Sequence, residues 1–317
     1  MTTKKFPRKE IYFYTTEKPL DEKSVFAIKD KDLEIPDYLK DYSEKKWEED
    51  NKGWTSSVIP SALEVKVSDN NMTIHCGLTE YKYLLGMVKH ANEKKNSNNG
   101  IIHGLSIEII PIFADDTVIF ERRNSSATQH GIGFYDFPTA SQNAEMYIKK
   151  AETKYPGLVK GMFDMSGFPR FHILKSFENI KPESFEINIR YIGFSRGFEV
   201  SLDSQFNGYT FLPVESGKVM TNKSENRLVY RTNRLLAVLD SIGRETPLKD
   251  INGRMPVPCS QTGRFAIVDD CLGNILSFIY HTDNSNYSEA IAILKERGYT
   301  INEIKPKENL VKLDELV

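Results

Sequence analysis

Three stretches of the chain combine residue types that handle phosphates or protons. The first is Glu121-Arg122-Arg123, which closes an apolar, strand-like run. Neighbouring residues on a strand point to opposite faces, so one guanidinium can look into a cleft while the other faces away. A guanidinium suits a phosphate because its planar fork donates to two oxygens at once. A solvated strand end is the plainer reading. The second stretch, Phe163-Asp164-Met165-Ser166-Gly167-Phe168-Pro169-Arg170-Phe171-His172, packs aromatic, acidic and basic residues into a turn-rich segment. Phe163 and Arg170 are candidate ligand contacts there, Asp164 a candidate catalytic carboxylate and His172 a candidate general base. The same segment reads equally as a tight connection. The third is the acidic set Glu178, Glu183 and Glu186, with Glu178 the catalytic candidate. Clustered carboxylates can hold Mg²⁺, which takes oxygen ligands and keeps several waters; a solvated segment has the same composition. Asp136 is a further ligand-binding candidate, and Glu199 and Asp203 are acids that a relocated active site can use.

Other chemistries lack their residues. There is no HExxH, EF-hand loop or CxxC, so no spacing identifies metal ligands and the cofactor stays open. The six histidines, His75, His90, His103, His130, His172 and His281, never fall at ligand spacing. No GxxxxGK[ST], no strand–GxGxxG–helix and no GxSxG occurs. Cys76, Cys259 and Cys271 are too few and too scattered for a disulfide framework and read as buried or idle thiols.

Composition narrows the classes further. Of 317 residues, 39% are hydrophobic and 11% aromatic, enough for a substantial core. Forty-two basic residues face 44 acidic ones, for a net charge of -2 and a pI near 6.4. That balance argues against a strongly cationic nucleic-acid or membrane-surface protein, though not against a local basic cleft. The amino-terminal residues are charged with no apolar stretch after them, and no segment approaches the ~18 apolar residues of a membrane span. The expectation is a soluble, cytoplasmic protein, with a homodimer as the default assembly.

The elements that must position these groups follow from periodicity. Ile11–Tyr14 reads as a strand and Asp37–Asp50 as an amphipathic helix. Ala62–Val67 and Met72–Cys76 alternate around the Asp69-Asn70-Asn71 turn, with Gly77 ending the second strand. Thr79 is then an N-cap for a helix through Tyr81, Leu84, Leu85 and Val88. The polar stretch 92–100 is a mobile loop and the domain boundary: residues 1–98 form an α/β extension and 99–317 the core. Gly104–Phe113 and Val118–Arg123 make a β-hairpin. Ser141 caps a helix through Ala151, and 171–177 is helix or strand. Glu186–Phe194 and Gly208–Val214 are strands. Glu225–Ile242 has helical spacing through Leu228, Leu235, Leu239 and Ile242, with Gly243 as its C-cap. Phe265–Val268 and Ile275–Tyr280 read as strands around an Asp269-Asp270 turn, before a last helix, Ser288–Arg297. Strands and helices intermix without a βαβ rhythm, which gives an α+β fold with a mixed sheet.

The order of these features resembles the Nudix superfamily, and within it the UDP-sugar diphosphatase-like branch. Thr79-Glu80-Tyr81-Lys82, a polar loop, the hairpin ending Arg122-Arg123-Asn124-Ser125, and Gly133-Phe134-Tyr135-Asp136-Phe137-Pro138 carry the resemblance, as does Glu178 to Phe194. It spans roughly residues 60 to 215. It implies a Nudix-like mixed sheet sandwiched by helices, and it places Arg122 or Arg123 at a pyrophosphate cleft. The Nudix glutamate box is missing, however. Where its helix should lie, Arg170-Phe171-His172-Ile173-Leu174-Lys175-Ser176-Phe177 offers no carboxylate. Without those Mg²⁺ ligands, metal-hydroxide attack on phosphorus loses its nucleophile generator.

The sequence therefore implies a hydrolase-like, nucleotide-binding protein with a degenerate active site. It would bind a phosphate-bearing small molecule of nucleoside-diphosphate type without standard hydrolysis. One alternative is an active, divergent pyrophosphohydrolase with relocated carboxylates. Another is an interaction module docking through the extension, with Trp47 and Trp54 as anchors.

Overall fold

The computed structural model describes residues 9–21, 24–50, 56–68, 71–94, 102–123, 133–137, 139–141, 162–164, 173–174, 177, 180–181, 183–197, 201–218, 227–260, 262–304 and 310–312. In chain order the strands and helices are β1 (Lys9–Asp21), β2 (Val25–Asp32), α1 (Asp37–Asp50), β3 (Val58–Val67), β4 (Met72–Glu80), α2 (Tyr81–Lys94), β5 (Leu105–Phe113), β6 (Thr117–Arg122), β7 (Tyr135–Asp136), β8 (Thr139–Ser141), β9 (Met162–Asp164), β10 (Glu186–Gly197), β11 (Ser201–Leu212), β12 (Arg227–Arg231), α3 (Leu235–Asp240), α4 (Asp269–Thr282), α5 (Asn284–Glu296), β13 (Tyr299–Glu303) and β14 (Leu310–Lys312). The fold is mixed α+β. A nine-stranded sheet runs β12-β6-β5-β11-β10-β1-β13, with β7 on β6 and β8 on β5, and a five-stranded sheet runs β14-β3-β4-β2-β9. The β1–β13, β11–β5 and β2–β4 pairs are parallel. Strands from before and after residue 98 share both sheets. Among the described residues no helix is long and apolar enough to cross a membrane.

Alternation along the strands builds two cores. On β5, Leu105, Ile107 and Ile109 join a cluster with Val65, Ile74 and Cys76 of the five-stranded sheet. Ile110 and Ile112 face the other way, toward Leu239 of α3, Leu272 and Ile275 of α4 and Leu294 of α5. The nine-stranded sheet is thus the middle layer. Helices α1 and α2 pack on each other at Gly86, where an added Cβ would lie 1.9 Å from Ser43 Oγ.

Helix α1, the β3–β4 and β5–β6 hairpins, β10 and α5 stand where periodicity puts them, and β11 overlaps its expected strand but begins seven residues earlier, at Ser201. Gly243 has φ +72 but is not the C-cap: α3 is capped at Ser241, and the Gly243 N–H donates to the Phe265 carbonyl at 2.9 Å. Several expectations are overturned. Gly77 does not end β4, because β3 starts at Val58 and pairs through to Glu80. The glycine instead makes room for Leu33, whose Cγ would lie 2.7 Å from an added Cβ. Thr79 is no N-cap; it pairs with Ile59 inside β4. Ser141 belongs to β8, and the helix expected after it lies outside the described residues. The stretch at 227–231 is not helical. Leu228 and Tyr230 point inward with period two on β12, which pairs with β6 as the edge of the sheet, so sheet completion overrides the leucine spacing. The stretch Ile275–Tyr280 is the middle of α4, not a strand. Every residue from Asp269 through Ile279 is buried; Asp270, Asn274 and Ser277 keep a helical spacing, but the apolar, aromatic run around them reads as a strand. Ala266–Val268 runs extended but joins a strand only through an isolated bridge from Ile267 to Tyr135. Most of the 92–100 and 171–177 segments lies outside the described residues; within the latter, the Phe177 N–H closes one turn on the Ile173 carbonyl at 2.9 Å.

Candidate functional site

Three distant segments converge where β5, β7 and α4 meet. β5 places Glu108 among apolar neighbours on a strand whose even-numbered residues face the helices. Beside it, the Tyr135 N–H donates to the Ala266 carbonyl at 2.9 Å and the Val268 N–H to the Tyr135 carbonyl at 3.0 Å. These two bonds seat the start of α4 against Asp136. As a result a carboxylate oxygen of Glu108, one of Asp136 and the Cys271 sulfur all lie within 4.8 Å of one another. Glu108 is 0% exposed, Asp136 2% and Cys271 0%. Arg123 donates to Asp136 Oδ2 from Nε at 2.7 Å and from Nη2. Asp270, also buried, adds a third carboxylate to the electrostatics of the group.

The charges settle unevenly. Burial pushes the Glu108 carboxyl well above its ordinary range, and the neighbouring Asp136 pushes it further, while Arg123 pulls against both. Burial, reinforced by Glu108 and Asp136, also holds the Cys271 thiol well above its usual range, so it is not an activated nucleophile. The acids around Arg123 outweigh its burial and hold it protonated. Asp269 and Asp270 sit in the first turn of α4, where the helix N-terminus favours negative charge. Among the described residues neither Glu108 oxygen has a partner in good hydrogen-bond geometry; its side-chain contacts are with Asp136 and the Cys271 thiol. Two carboxylates side by side in a dry interior favour a shared proton or a bound cation.

Beyond this centre, α4 turns a polar row toward the sheet: Asp270, Asn274, Ser277 and His281. Ser277 Oγ lies 3.0 Å from Thr15 Oγ1 and 3.1 Å from the Tyr209 hydroxyl, and His281 Nε2 lies 2.8 Å from Thr15 Oγ1.

The candidates named from sequence divide. The paired arginines do part company: Arg123 is committed to Asp136, whereas Arg122 donates from Nη2 to the Pro258 carbonyl at 3.3 Å. The Arg122 Nε finds no acceptor among the described residues. Gly133, at φ +86, backs onto Arg122; an added Cβ would lie 3.3 Å from Nη2. Asp136 joins Arg123 as a structural partner. Phe163 and Asp164 lie on β9, at the edge of the five-stranded sheet, so they belong to a different sheet from the arginines. Glu183 and Glu186 are exposed beside the start of β10 and form no cluster with other described acids. Asp203 lies on β11, paired with Ser195. Arg170, His172, Glu178, Glu199 and Trp54 lie outside the described residues, and Trp47 is half-buried on α1. Glu108, Asp270 and Cys271 were not singled out. The one signal for Glu108 was a carboxylate interrupting an apolar strand.

A scan against known protein families finds no model that matches this chain, and a search of curated proteins finds no match.

Proposed function

We propose that the chain binds a phosphate-bearing small molecule of nucleoside-diphosphate type through Arg122 and does not hydrolyse it by the Nudix route. The observation that carries this reading is the state of Arg122. Its guanidinium is half-exposed at the end of the hairpin and makes one long bond, from Nη2 to a carbonyl; Nε is buried without an acceptor among the described residues, so a ligand approaches the terminal amino groups. A guanidinium so placed gains two strong charge-assisted bonds from a phosphate. Arg123 takes no part in this binding, because its fork is occupied by Asp136. The resemblance of the hairpin and the Gly133–Asp136 phrase to Nudix proteins supports the ligand class. The absent glutamate box supports binding without metal-hydroxide attack.

The test is calorimetric titration of UDP-glucose into the full chain, with an assay for Mg²⁺-dependent product release. Arg122→Ala is expected to lower affinity about 10- to 100-fold, the loss of charged hydrogen bonds worth ~1.5–3 kcal/mol. Arg122→Lys should recover part of it. Undiminished affinity in Arg122→Ala, or no binding by the unaltered protein, refutes the binding half. Cleavage of UDP-glucose refutes the non-hydrolytic half and favours a divergent pyrophosphohydrolase.

A further inference from the structure

The centre at Glu108 has the makings of a site in its own right, independent of Arg122. Two carboxylates, Glu108 and Asp136, meet the Cys271 sulfur in a buried space, with all three ligand atoms within 4.8 Å of one another. Two carboxylates this close and this dry need a proton or a cation between them. A proton shared between Glu108 and Asp136 accounts for those two side chains and nothing else. It gives the Cys271 sulfur, which faces the same point, no more than weak hydrogen bonds to the Phe137 backbone and Glu108. It offers nothing to Asn274, which is fully buried with no partner for its amide oxygen or nitrogen among the described residues. On α4, Asn274 follows Asp270 by four residues and Cys271 by three, so it shares their face of the helix. A buried amide without partners costs about 1–3 kcal/mol unless something is coordinated there.

We propose that Glu108, Asp136 and Cys271 bind one divalent cation of the zinc class, with the Asn274 amide oxygen as the fourth ligand. Tetrahedral bonds of about 2.0 Å to oxygen and 2.3 Å to sulfur bring ligand atoms to ~3.3–3.8 Å of one another. The three atoms, already within 4.8 Å, reach that geometry by small side-chain rotations. A thiolate selects against Mg²⁺, which demands oxygen ligands and keeps water. Arg123, on Asp136 Oδ2, supplies the outer contact that fixes a ligating carboxylate. Binding releases the protons that Glu108 and Cys271 carry in the metal-free protein. The ion ties β5, β7 and α4 together, so its role is structural.

Untagged full-length protein, stripped with EDTA and dialysed, is titrated with CoCl₂ and then ZnCl₂. The expected result is a sulfur-to-cobalt charge-transfer band saturating at one ion per chain, abolished by Zn²⁺, with a higher melting temperature in Zn²⁺. Cys271→Ser is expected to lose the band, and Glu108→Gln to keep its fold and weaken Co²⁺ at least about tenfold. Should Cys271→Ser not fold, the affinity of the near-isosteric Glu108→Gln decides alone. No saturating band in the unaltered protein, a band that survives Cys271→Ser, or unchanged affinity in Glu108→Gln overturns the proposal. Any of these leaves the carboxyl pair held by a proton.

Discussion

Replacing Glu108 by Gln in metal-free buffer tests the electrostatics of the centre directly. Gln is a shape-matched copy of the protonated acid that has no proton to lose. In the folded chain, burial and then the Asp136 charge raise the Glu108 carboxyl well above its ordinary value of 4.5. The folded state therefore keeps a proton that the unfolded chain has released once the pH passes that value. The stability this proton confers is complete below pH 4.5 and is lost as the pH rises toward the folded value, at about 1.4 kcal/mol per pH unit. That loss continues for as long as the folded carboxyl stays protonated. The variant escapes it. Urea unfolding of both proteins in EDTA at about pH 5, 6 and 7 should show the stability difference moving steadily in favour of Glu108→Gln. Any constant cost of the amide itself cancels from that slope. A difference that is flat with pH, or that moves the other way, refutes a neutral buried Glu108.

Two further outcomes follow from packing and hydrogen bonding. Gly86→Ala should destabilise the protein by about 1–3 kcal/mol in urea melts. Its methyl would stand 1.9 Å from Ser43 Oγ and 2.8 Å from Ser43 Cα, outweighing the ~1 kcal/mol that alanine gains in helix propensity; a stabilised variant refutes the close approach of α1 and α2. Asp250→Ala should cost about 2–4 kcal/mol and speed hydrogen exchange at 251–254. Its buried carboxylate accepts from the Asn252 N–H at 2.9 Å, the Arg254 N–H at 2.8 Å and the Val229 N–H at 3.2 Å, so unchanged exchange there contradicts that role.

Much of the scaffold was legible because its signals are local. The Asp37–Asp50 helix and the β3–β4 hairpin are partly exposed, so polar and apolar residues alternate visibly along them; the nearly buried β5–β6 hairpin shows instead through its β-branched run and the Asp115-Asp116 turn. The signal weakens in α4. From Asp269 to Ile279 no face meets water; the helical period is carried by a sparse polar row, Asp270, Asn274 and Ser277, and the apolar, aromatic run beside it resembles a strand. At 227–231 the deciding partner, β6, lies about a hundred residues away in sequence. The site divides on the same line. Arg122, Arg123 and Asp136 sit in a dense, chemically distinctive stretch and were found. Glu108 and Cys271 gain their meaning only from each other, across residues that no local spacing connects.

The polar row on α4 bears on how that helix finds its seat. A wholly hydrocarbon rod laid on a hydrocarbon sheet can roll, or slide by a turn, at modest cost. Here the hydroxyls of Thr15 and Tyr209 meet Ser277, and Thr15 meets His281, at a single setting of the rod. Rotation by one residue would take Ser277 from its partners and press it into oil, at about 1–3 kcal/mol. The row works like the cuts on a key. It contributes little to how tightly α4 is held, but it dictates the one angle at which α4 lodges, and with it the place where Asp270 and Cys271 arrive.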